Sequence, residues 1–497
     1  MKLSSSIIFI LQSALVISQC PFTGKVTDSK NCKFIFQKSN VLYILFLDGK
    51  TLIQNYAASS KPVVQRVNYE DVMKDLEQVM VESKDFWPAD YGNYGPLFIR
   101  LAWHNSGSYR TSDGRGGADG GRQRFEPERS WPDNTNLDKA RALLWDIKYK
   151  YGPDLSWGDL FVLAGDAAIR SMGGHILGFC GGRVDVMDGS ESIQLGPSSI
   201  QEELFPCQKN GDCIEPLGAN TVGLIYVNPE GHQQNGDPVE SSKDIRDVFG
   251  RMDMNDTETV ALIGGGHAVG KCHGACPDGP GPSPAEDPFN PWPGNCGDGK
   301  LANAFTSGFE LPFTTRPTYW DTEYYQNLLN YNWTSRRGPG NHTQWEPQVI
   351  GDGLLPTAVS ADGTKNETIG LLTSDVALIH DDAYLEIVQM FAENRDRFDA
   401  MFAHAWYKLV TRDMGPRSRC INSDTAPVSQ DWQNGLPDRT ESPPDFTEVR
   451  ERIMNLLDSD NTAYGQFTRL AWQCASSFRV TDYQGGCNGA RLRSDIN

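Results

Sequence analysis

Residues 98–110 read Phe-Ile-Arg-Leu-Ala-Trp-His-Asn-Ser-Gly-Ser-Tyr-Arg, and this stretch decides the fold that we expect. If it is helical, Arg100, Trp103 and His104 occupy positions i, i+3 and i+4 and share one face. A cation, an aromatic ring and a base would then converge on one place. Taken alone, a histidine on such a helix is more often a hydrogen-bonded core residue than a catalytic one.

The same stretch recurs 369 positions later, where residues 467–479 read Phe-Thr-Arg-Leu-Ala-Trp-Gln-Cys-Ala-Ser-Ser-Phe-Arg. The match continues into the Gly-rich segments 113–117 and 482–486. Gln473 stands in the second copy where His104 stands in the first. Because a carboxamide cannot shuttle a proton near neutral pH as an imidazole can, the repeat predicts a competent first copy and a degenerate second copy.

Composition and charge exclude several classes of function. A chain of 497 residues that is 39% hydrophobic and contains 12 Trp can bury more than one core. A net charge of −19 argues against a nucleic-acid partner.

Residues 1–18 combine one basic residue, an apolar run and a Val16-x-Ser18 ending, which is typical of a cleaved secretory signal. The apolar run is too short to span a bilayer, so we expect a secreted protein without membrane attachment after cleavage.

Cysteines and sequons fit an extracellular protein. The 11 cysteines are an odd number, which leaves one thiol over, and the 13-residue spacing of Cys474 and Cys487 is compatible with a disulfide. The cysteine clusters lack paired C-x-x-C spacing, which disfavours zinc. The sequon at Asn255 is expected to be unused, because Asn255 is predicted to be the N-cap of the helix that ends at His267. Sequons in polar, turn-rich sequence predict N-linked glycans at Asn332, Asn341 and Asn366.

Helical periodicity dominates the chain, and regular alternating strands are nearly absent. A Pro-, Ser- and Asp-rich tract at 416–444 is predicted to be a linker. Besides the opening stretch, the pattern predicts helices at 69–81, 137–151, 156–172, 244–252, 260–267, 374–393 and 395–410.

The predicted helix at 260–267 places three glycines directly before His267. Glycine costs a helix about 1 kcal/mol relative to alanine, so this pattern indicates that something flat lies close to the backbone. His267 and His273 are six positions apart and cannot hold one metal ion together on a helix. A planar cofactor between the helices of His104 and His267, with a single axial ligand, would require this arrangement.

Several runs resemble the bifunctional catalase-peroxidases, which are haem enzymes of the class I peroxidase superfamily. The resemblance extends from residue 86 to the C-terminus. It implies a mainly α haem-peroxidase fold with long loop insertions, followed by the start of a degenerate duplicate lobe. The matching runs are 87–104, 113–118, 131–134, 224–231, 254–263 and 405–416.

Together with the signal peptide and the linker predicted from composition, the resemblance divides the chain into five parts. They are a signal peptide at 1–18, an atypical N-terminal segment at 19–67, a haem-binding peroxidase domain at 68–415, a linker at 416–444 and a truncated haem-free lobe at 445–497.

By the same resemblance, the chain binds one haem b with His267 as the axial ligand of the iron. Asp375 is expected to accept a hydrogen bond from the other ring nitrogen of His267, and Trp320 to pack beside them. On the opposite side, His104 would take a proton from hydrogen peroxide and return it to the leaving oxygen. Arg100 would stabilise the developing charge.

The catalase half of this family's activity is associated with a cross-linked Trp-Tyr-Met group and a mobile arginine. These groups map onto Trp103, Tyr226, Met252 and Arg412, and Asp133 matches the acidic residue of the substrate channel. The resemblance therefore implies breakdown of hydrogen peroxide by catalase reaction and by peroxidase reaction with small organic electron donors, as in oxidative stress. The alternatives are a monofunctional haem peroxidase and a non-catalytic haem-binding or peroxide-sensing remnant.

Three departures from the family qualify this expectation. Residues 33–67 do not resemble its N-terminal segment, and Gln194-Leu-Gly stands where it usually has Tyr-Trp-Gly. The sequence ends at Asn497, so either it is incomplete or the second lobe is a stub. The apolar face of residues 467–472 should then lie against the first lobe, pair with another chain in a homodimer, or be exposed. Without the second lobe, we expect His104 to drift onto the iron and haem loading to be poor.

Overall fold

The computed structural model divides the chain into two compact units, Met1–Arg66 and Val67–Asn497. The described residues are 15–19, 33–38, 41–46, 51–53, 67–196, 229–230, 236–348, 353–360, 364–421, 426–433, 442, 445–460, 462–487 and 490–493.

The first unit contains an antiparallel sheet in the order β1-β2-β3-β4. Its strands are β1 (Leu15–Gln19), β2 (Lys33–Lys38), β3 (Val41–Phe46) and β4 (Thr51–Ile53). Ile35 of the central strand β2 pairs with Ile17 on one side and Ile44 on the other. These runs are rich in β-branched and aromatic residues, which suit strands. These four strands were not among the predicted elements, and β1 overlaps the predicted signal peptide.

The second unit is mainly helical, as predicted, with two small hairpins in its described part. The hairpins pair β5 (Trp333–Arg337) with β6 (Thr343–Pro347) and β7 (Thr357–Val359) with β8 (Asn366–Thr368). The helices are α1 (Tyr69–Met80), α2 (Gly95–Ser106), α3 (Leu137–Leu143), α4 (Trp145–Tyr151), α5 (Trp157–Ser171), α6 (Pro238–Arg251), α7 (Asp256–His267), α8 (Glu323–Asn330), α9 (Thr373–Ala377), α10 (Asp382–Glu393), α11 (Arg395–Thr411), α12 (Phe446–Ser459) and α13 (Ala463–Ala475).

The opening stretch forms helix α2 and lies at the centre of the core. Phe98, Leu101 and Ala102 are fully buried. Helix α5 packs directly on α2, because a Cβ at Gly165 would lie only 2.6 Å from the Cβ of Ala102. It would also lie 2.8 Å from the ring of Trp406 in α11. A residue without a side chain at this position therefore lets three helices approach one another closely.

Helix α7 begins at the predicted cap. The Asn255 side chain accepts from the Glu258 backbone N–H, and the Glu258 carboxylate accepts from the Asn255 N–H, both at 2.9 Å. This reciprocal pair satisfies two of the free N–H groups of the first turn. Lys408 of α11 lies 3.0 Å from Glu258 and ties the two helices together. His267 is consequently held at the end of a helix whose start is anchored.

Two predicted helices are each interrupted. The helix predicted at 137–151 is divided at Leu144 into α3 and α4. The helix predicted at 374–393 ends at Ala377 and resumes at Asp382, because Asp381 caps α10 by accepting from the Tyr384 N–H.

The second copy of the opening stretch forms α13, as expected, and the loop after it contacts the first copy. The Arg479 guanidinium donates to the Thr111 carbonyl at 2.9 Å, and the Thr481 hydroxyl donates to the Asp113 carbonyl at 3.1 Å. The apolar side chains of α13 are exposed, with 56% of Leu470 accessible to solvent. Of the three fates expected for this face, packing against the first lobe is therefore not the one that the single chain adopts.

Three disulfides lie within the described residues: Cys180–Cys420, Cys276–Cys296 and the predicted Cys474–Cys487. The first ties part of the predicted linker to the helical unit. Trp432 of the same segment is buried and donates to the Thr411 hydroxyl at 3.0 Å. This part of the linker therefore packs on the helical unit. Over the described residues, every helix is too short or too polar to cross a bilayer.

Candidate active site

Helices α2 and α7 face each other across a cavity of about 830 Å³. Arg100, Trp103 and His104 line it from α2, and Gly266 and His267 line it from α7. The two histidines singled out from the sequence therefore share one cavity. Apolar side chains form much of the remaining wall and include Leu97, Ile245, Phe249, Leu262, Ile263 and Phe313.

His104 is buried and has a defined hydrogen-bond partner. Its Nδ1 lies 2.9 Å from Oδ1 of Asn134, whose Nδ2 donates to the Glu128 carbonyl at 2.7 Å. An amide oxygen accepts only, so Nδ1 carries the proton and Nε2 is left as an acceptor. Burial lowers the pKa of His104 well below its ordinary value, and the nearby charge of Arg100 lowers it further. The ring is therefore a neutral base over a wide pH range.

Arg100 is held beside this base by two backbone carbonyls. Its guanidinium donates to the carbonyls of Asp133 at 2.7 Å and Thr135 at 2.9 Å. Burial lowers the pKa of Arg100 to about 10, so it remains a cation at neutral pH. Burial raises the pKa of the Asp133 carboxyl well above its ordinary value, although Arg100 opposes that shift. The Asp133 side chain also lines the cavity.

On the α7 side, His267 is backed by a buried carboxylate. The His267 Nδ1–H donates to Oδ1 of Asp375 at 2.7 Å, as predicted. Oδ2 of Asp375 accepts from the Leu372 backbone N–H at 2.8 Å. The Tyr324 hydroxyl also donates to Oδ1, at 2.6 Å. Burial and the charge of Asp375 raise the pKa of Tyr324 well above its ordinary value, so the hydroxyl keeps its proton.

The expected position of Trp320 beside His267 and Asp375 is wrong. The ring that stacks on His267 belongs to Phe313, with centroids 4.0 Å apart and planes 4° from parallel. The Trp320 indole N–H donates instead to Asp399 at 2.9 Å, and its ring stacks on Phe398. Residues 305–325 hold many aromatic rings, and the course of the loop decides which of them meets the histidine.

The glycines before His267 have a different explanation from the one expected. A Cβ at Gly264 would lie 2.1 Å from the hydroxyl of Tyr325, and a Cβ at Gly265 would lie 2.2 Å from the ring of Phe402. These two glycines therefore make room for protein side chains. Only Gly266 has open space around its missing Cβ, and it lines the cavity.

Of the residues expected to form the catalase-associated group, only some of those described line the cavity. Trp103 lines the cavity and packs on Phe249 with ring centroids 5.6 Å apart. Met252 is buried at the end of α6, and Arg412 lies 3.0 Å from Asp253. Neither Met252 nor Arg412 is among the described residues that line the cavity. Tyr226 falls outside the described residues.

A polar group that sequence reasoning missed stands on another wall of the cavity. Glu230 accepts from Arg337 at 2.9 Å, from the Thr343 hydroxyl at 2.5 Å and lies 3.3 Å from His342 Nδ1. Asn134 and Tyr324, the partners of the two histidine systems, were missed as well. The Trp-Pro-Asp-Asn turn that follows α2 in the sequence was the signal that could have identified Asn134. Arg100 and His104 form their hydrogen bonds at this turn and at the residue after it.

The cavity fits a planar iron-bearing group. With Nδ1 of His267 engaged by Asp375, Nε2 is its only nitrogen free to bind a metal. Gly266 keeps the backbone beside it open, and apolar walls surround the space. A neutral base and a fixed cation on the facing wall complete an arrangement that can bind a peroxide and move its proton.

The profile of the peroxidase family matches residues 76–394, which is more than half of the chain. The chain therefore belongs to the peroxidase family, and the predicted mainly α haem-peroxidase fold is confirmed. The peroxidase domain binds haem, and haem b is its standard cofactor.

The relatives that the chain resembles are catalase-peroxidases. That of Natronomonas pharaonis is 48% identical over 439 residues, covering 86% of this chain and 61% of the relative. Catalase-peroxidase 1 of Haloarcula marismortui is 47% identical over 438 residues, covering 86% and 60%. Catalase-peroxidase 2 of Legionella pneumophila is 46% identical over 451 residues, covering 88% and 60%. The resemblance expected from the sequence motifs is thereby confirmed, and this chain spans about 60% of the length of these relatives.

Proposed function

We propose that this protein holds one haem b in the cavity and breaks down hydrogen peroxide. It does so by the catalase reaction, which releases dioxygen and water, and by the peroxidase reaction with small organic electron donors. The observation that carries the proposal is a carboxylate-backed imidazole, His267, facing a neutral buried base, His104, across one cavity.

His267 would hold the haem iron through Nε2, since Nδ1 is engaged by Asp375. The carboxylate draws on the Nδ1 proton and makes the imidazole a stronger electron donor. When bound, the haem supplies the iron at which peroxide binds and the electrons that reduce it. The position of His267 at the end of α7, whose first turn is capped, keeps this ligand fixed.

On the facing wall, His104 accepts a proton from peroxide at Nε2 and returns it to the departing oxygen. Asn134 keeps the ring in the tautomer that this transfer needs. Arg100, which stays charged at neutral pH, stabilises the negative charge that develops on that oxygen. Asp133, whose carboxyl pKa is raised by burial, lines the wall that the incoming peroxide meets.

The catalase reaction in this proposal depends on a covalent group formed by Trp103, Tyr226 and Met252, with Arg412 as its mobile cation. Linking these side chains is an oxidation, for which hydrogen peroxide is the oxidant and is reduced to water. Mass spectrometry of a tryptic digest of the haem-loaded, peroxide-treated protein should therefore find the three side chains in one adduct. Three separate, unmodified peptides would restrict the proposal to a monofunctional peroxidase. The observation favouring that second candidate is that Arg412 is paired with Asp253 and stands outside the cavity lining.

The proposed setting is extracellular defence against peroxide, after removal of residues 1–18 and as a monomer or homodimer. Exposed side chains at the three favoured sequons and three disulfides support it. Expression in a secretory host followed by N-terminal sequencing and glycosidase treatment tests this part. An unprocessed, unglycosylated chain retained in the cells would contradict it.

Titration of haem into the purified apoprotein tests the function itself. In the fraction of the protein that loads haem, we expect one haem per chain, dioxygen release on addition of hydrogen peroxide, and oxidation of an added phenol. His267→Ala should weaken haem binding, whereas His380→Ala, which changes an exposed histidine, should not. A haem-loaded chain that neither releases dioxygen nor oxidises the phenol would overturn the proposal.

A further inference from the structure

Tyr324 of α8 is a fully buried residue that shares one oxygen atom with the proposed axial ligand. Its hydroxyl donates to Oδ1 of Asp375 at 2.6 Å, and Nδ1 of His267 donates to that same oxygen at 2.7 Å. Oδ2 accepts the Leu372 backbone N–H at 2.8 Å. The carboxylate that backs His267 therefore has three donors instead of one.

We propose that Tyr324 is a positioning residue that shares Asp375 Oδ1 with His267 and thereby sets how strongly His267 donates electrons to a bound haem iron. This inference rests on the proposed function, because it requires His267 to be the axial ligand.

The physical reason is competition for one acceptor. Each hydrogen bond to a carboxylate stabilises its negative charge and lowers its basicity. With the Tyr324 hydroxyl in place, Asp375 pulls less on the Nδ1 proton of His267, and the imidazole acquires less anionic character. A less anionic imidazole is a weaker donor to iron, and a weaker donor favours the reduced over the oxidised metal.

Phe313 and Trp320 do not supply such a donor. Phe313 lies flat on His267 and has no polar atom. The indole N–H of Trp320 is directed to Asp399, a different carboxylate. The second side-chain donor to Asp375 therefore comes from Tyr324.

The chain offers a matched control in the next residue. Tyr325 is also fully buried, and its ring centroid is 5.3 Å from that of Tyr324. Its hydroxyl donates to the Val260 carbonyl at 2.9 Å and not to a carboxylate. Tyr325→Phe therefore removes the same hydroxyl from the same core without touching Asp375.

The test measures the one-electron reduction potential of the haem-loaded protein and the iron–histidine stretching frequency of its reduced form by resonance Raman spectroscopy. Tyr324→Phe should lower the equilibrium constant for reduction about tenfold, which is about 59 mV, and raise the stretching frequency. Tyr325→Phe should change neither. Replacing Tyr324 with 3-fluorotyrosine, whose hydroxyl is a stronger donor, should shift both quantities in the opposite direction.

Equal potentials in the wild-type protein and in Tyr324→Phe would overturn the inference and leave the proposed function standing. If Tyr324→Phe fails to load haem, the 3-fluorotyrosine protein decides, and an unchanged potential there overturns the inference. A wild-type protein without an iron–histidine band would remove His267 as ligand, and both proposals would fall together.

Discussion

The two copies of the opening stretch form the same local structure and meet different fates. In both, a helix is followed by a loop in which an arginine pairs with the aspartate three residues later: Arg110 with Asp113 at 2.9 Å and Arg479 with Asp482 at 2.6 Å. In the first copy the helix is enclosed by α5 and α11, whereas α13 has most of its apolar side chains exposed. Local sequence therefore specifies the helix and the loop, and the surrounding helices specify burial and chemistry.

The largest expected effect comes from replacing the basic side chain of the first copy, His104, by the glutamine that the second copy has at the equivalent position. His104→Gln should slow the reaction of the haem-loaded protein with hydrogen peroxide by about 10²–10⁴-fold, because a carboxamide cannot carry the proton. Stopped-flow absorbance of the haem band measures the rate. The reciprocal Gln473→His should have no effect, because Gln473 is exposed on α13. An unchanged rate in His104→Gln would mean that this residue does not move the proton.

A matched pair of leucines sharpens the contrast in burial. Leu101→Ala in α2 should lower the free energy of unfolding by about 2–5 kcal/mol, because Leu101 is fully buried. Leu470→Ala, at the equivalent position of α13, should change it by less than about 0.5 kcal/mol, because its side chain is exposed. Urea denaturation followed by circular dichroism compares the two. Similar losses would show that α13 is covered in solution.

The contact between the copies gives the next effect. Asp482 is fully buried and accepts from the Tyr109 hydroxyl at 3.0 Å and from Arg479. Asp482→Asn replaces an acceptor by a donor and should destabilise the protein by about 1–3 kcal/mol. Asp458→Asn, in exposed sequence of α12, is the control and should be neutral. Thermal denaturation measures the midpoint temperature of unfolding for both variants. Equal midpoint temperatures would disprove the contact.

The smallest expected effect is a pH dependence that only the first copy has. Burial lowers the pKa of His104 in the folded protein below its value in the unfolded chain. Below about pH 6.5 the unfolded chain then binds more protons than the folded protein does. The free energy of unfolding therefore decreases as the pH falls. The loss approaches about 1.4 kcal/mol per pH unit until the folded pKa is reached. Relative to His104→Gln, the wild-type apoprotein should therefore lose stability between pH 6.5 and 5, and parallel curves would contradict this.

Local patterns predicted the parts of the site that lie on helices. The spacing of Arg100 and His104 and the cap at Asn255 were sufficient to place two facing walls, because helix geometry converts spacing into direction. The extents of both helices differed, since α2 begins at Gly95, where Pro96 suits the first turn, and α7 begins at Asp256. Element types were therefore predictable wherever the helical period was long.

The contacts that complete the site depend on loops, and loops were not predictable. Trp320 was chosen from an aromatic-rich segment by residue type, whereas the path of the chain brings Phe313 to His267. The hydroxyl of Tyr324 reaches Asp375 only because α8 and α9 meet, and no local spacing records that meeting. The strands of the first unit were missed because their apolar runs lack the alternation that marks a strand exposed on one face.

The Cys180–Cys420 disulfide turns the middle of the polypeptide into a closed ring. The bond joins residues 240 positions apart, so His267, Asp375 and Tyr324 lie inside the ring, while Arg100 and His104 lie on the tail that precedes it. A cross-link of this span restricts the unfolded chain and stabilises the folded one by about 2–5 kcal/mol in chain-entropy terms. The folded protein is therefore more stable in an oxidising medium than in a reducing one. Reduction breaks the disulfide and removes the covalent constraint on the segment that forms one wall of the cavity.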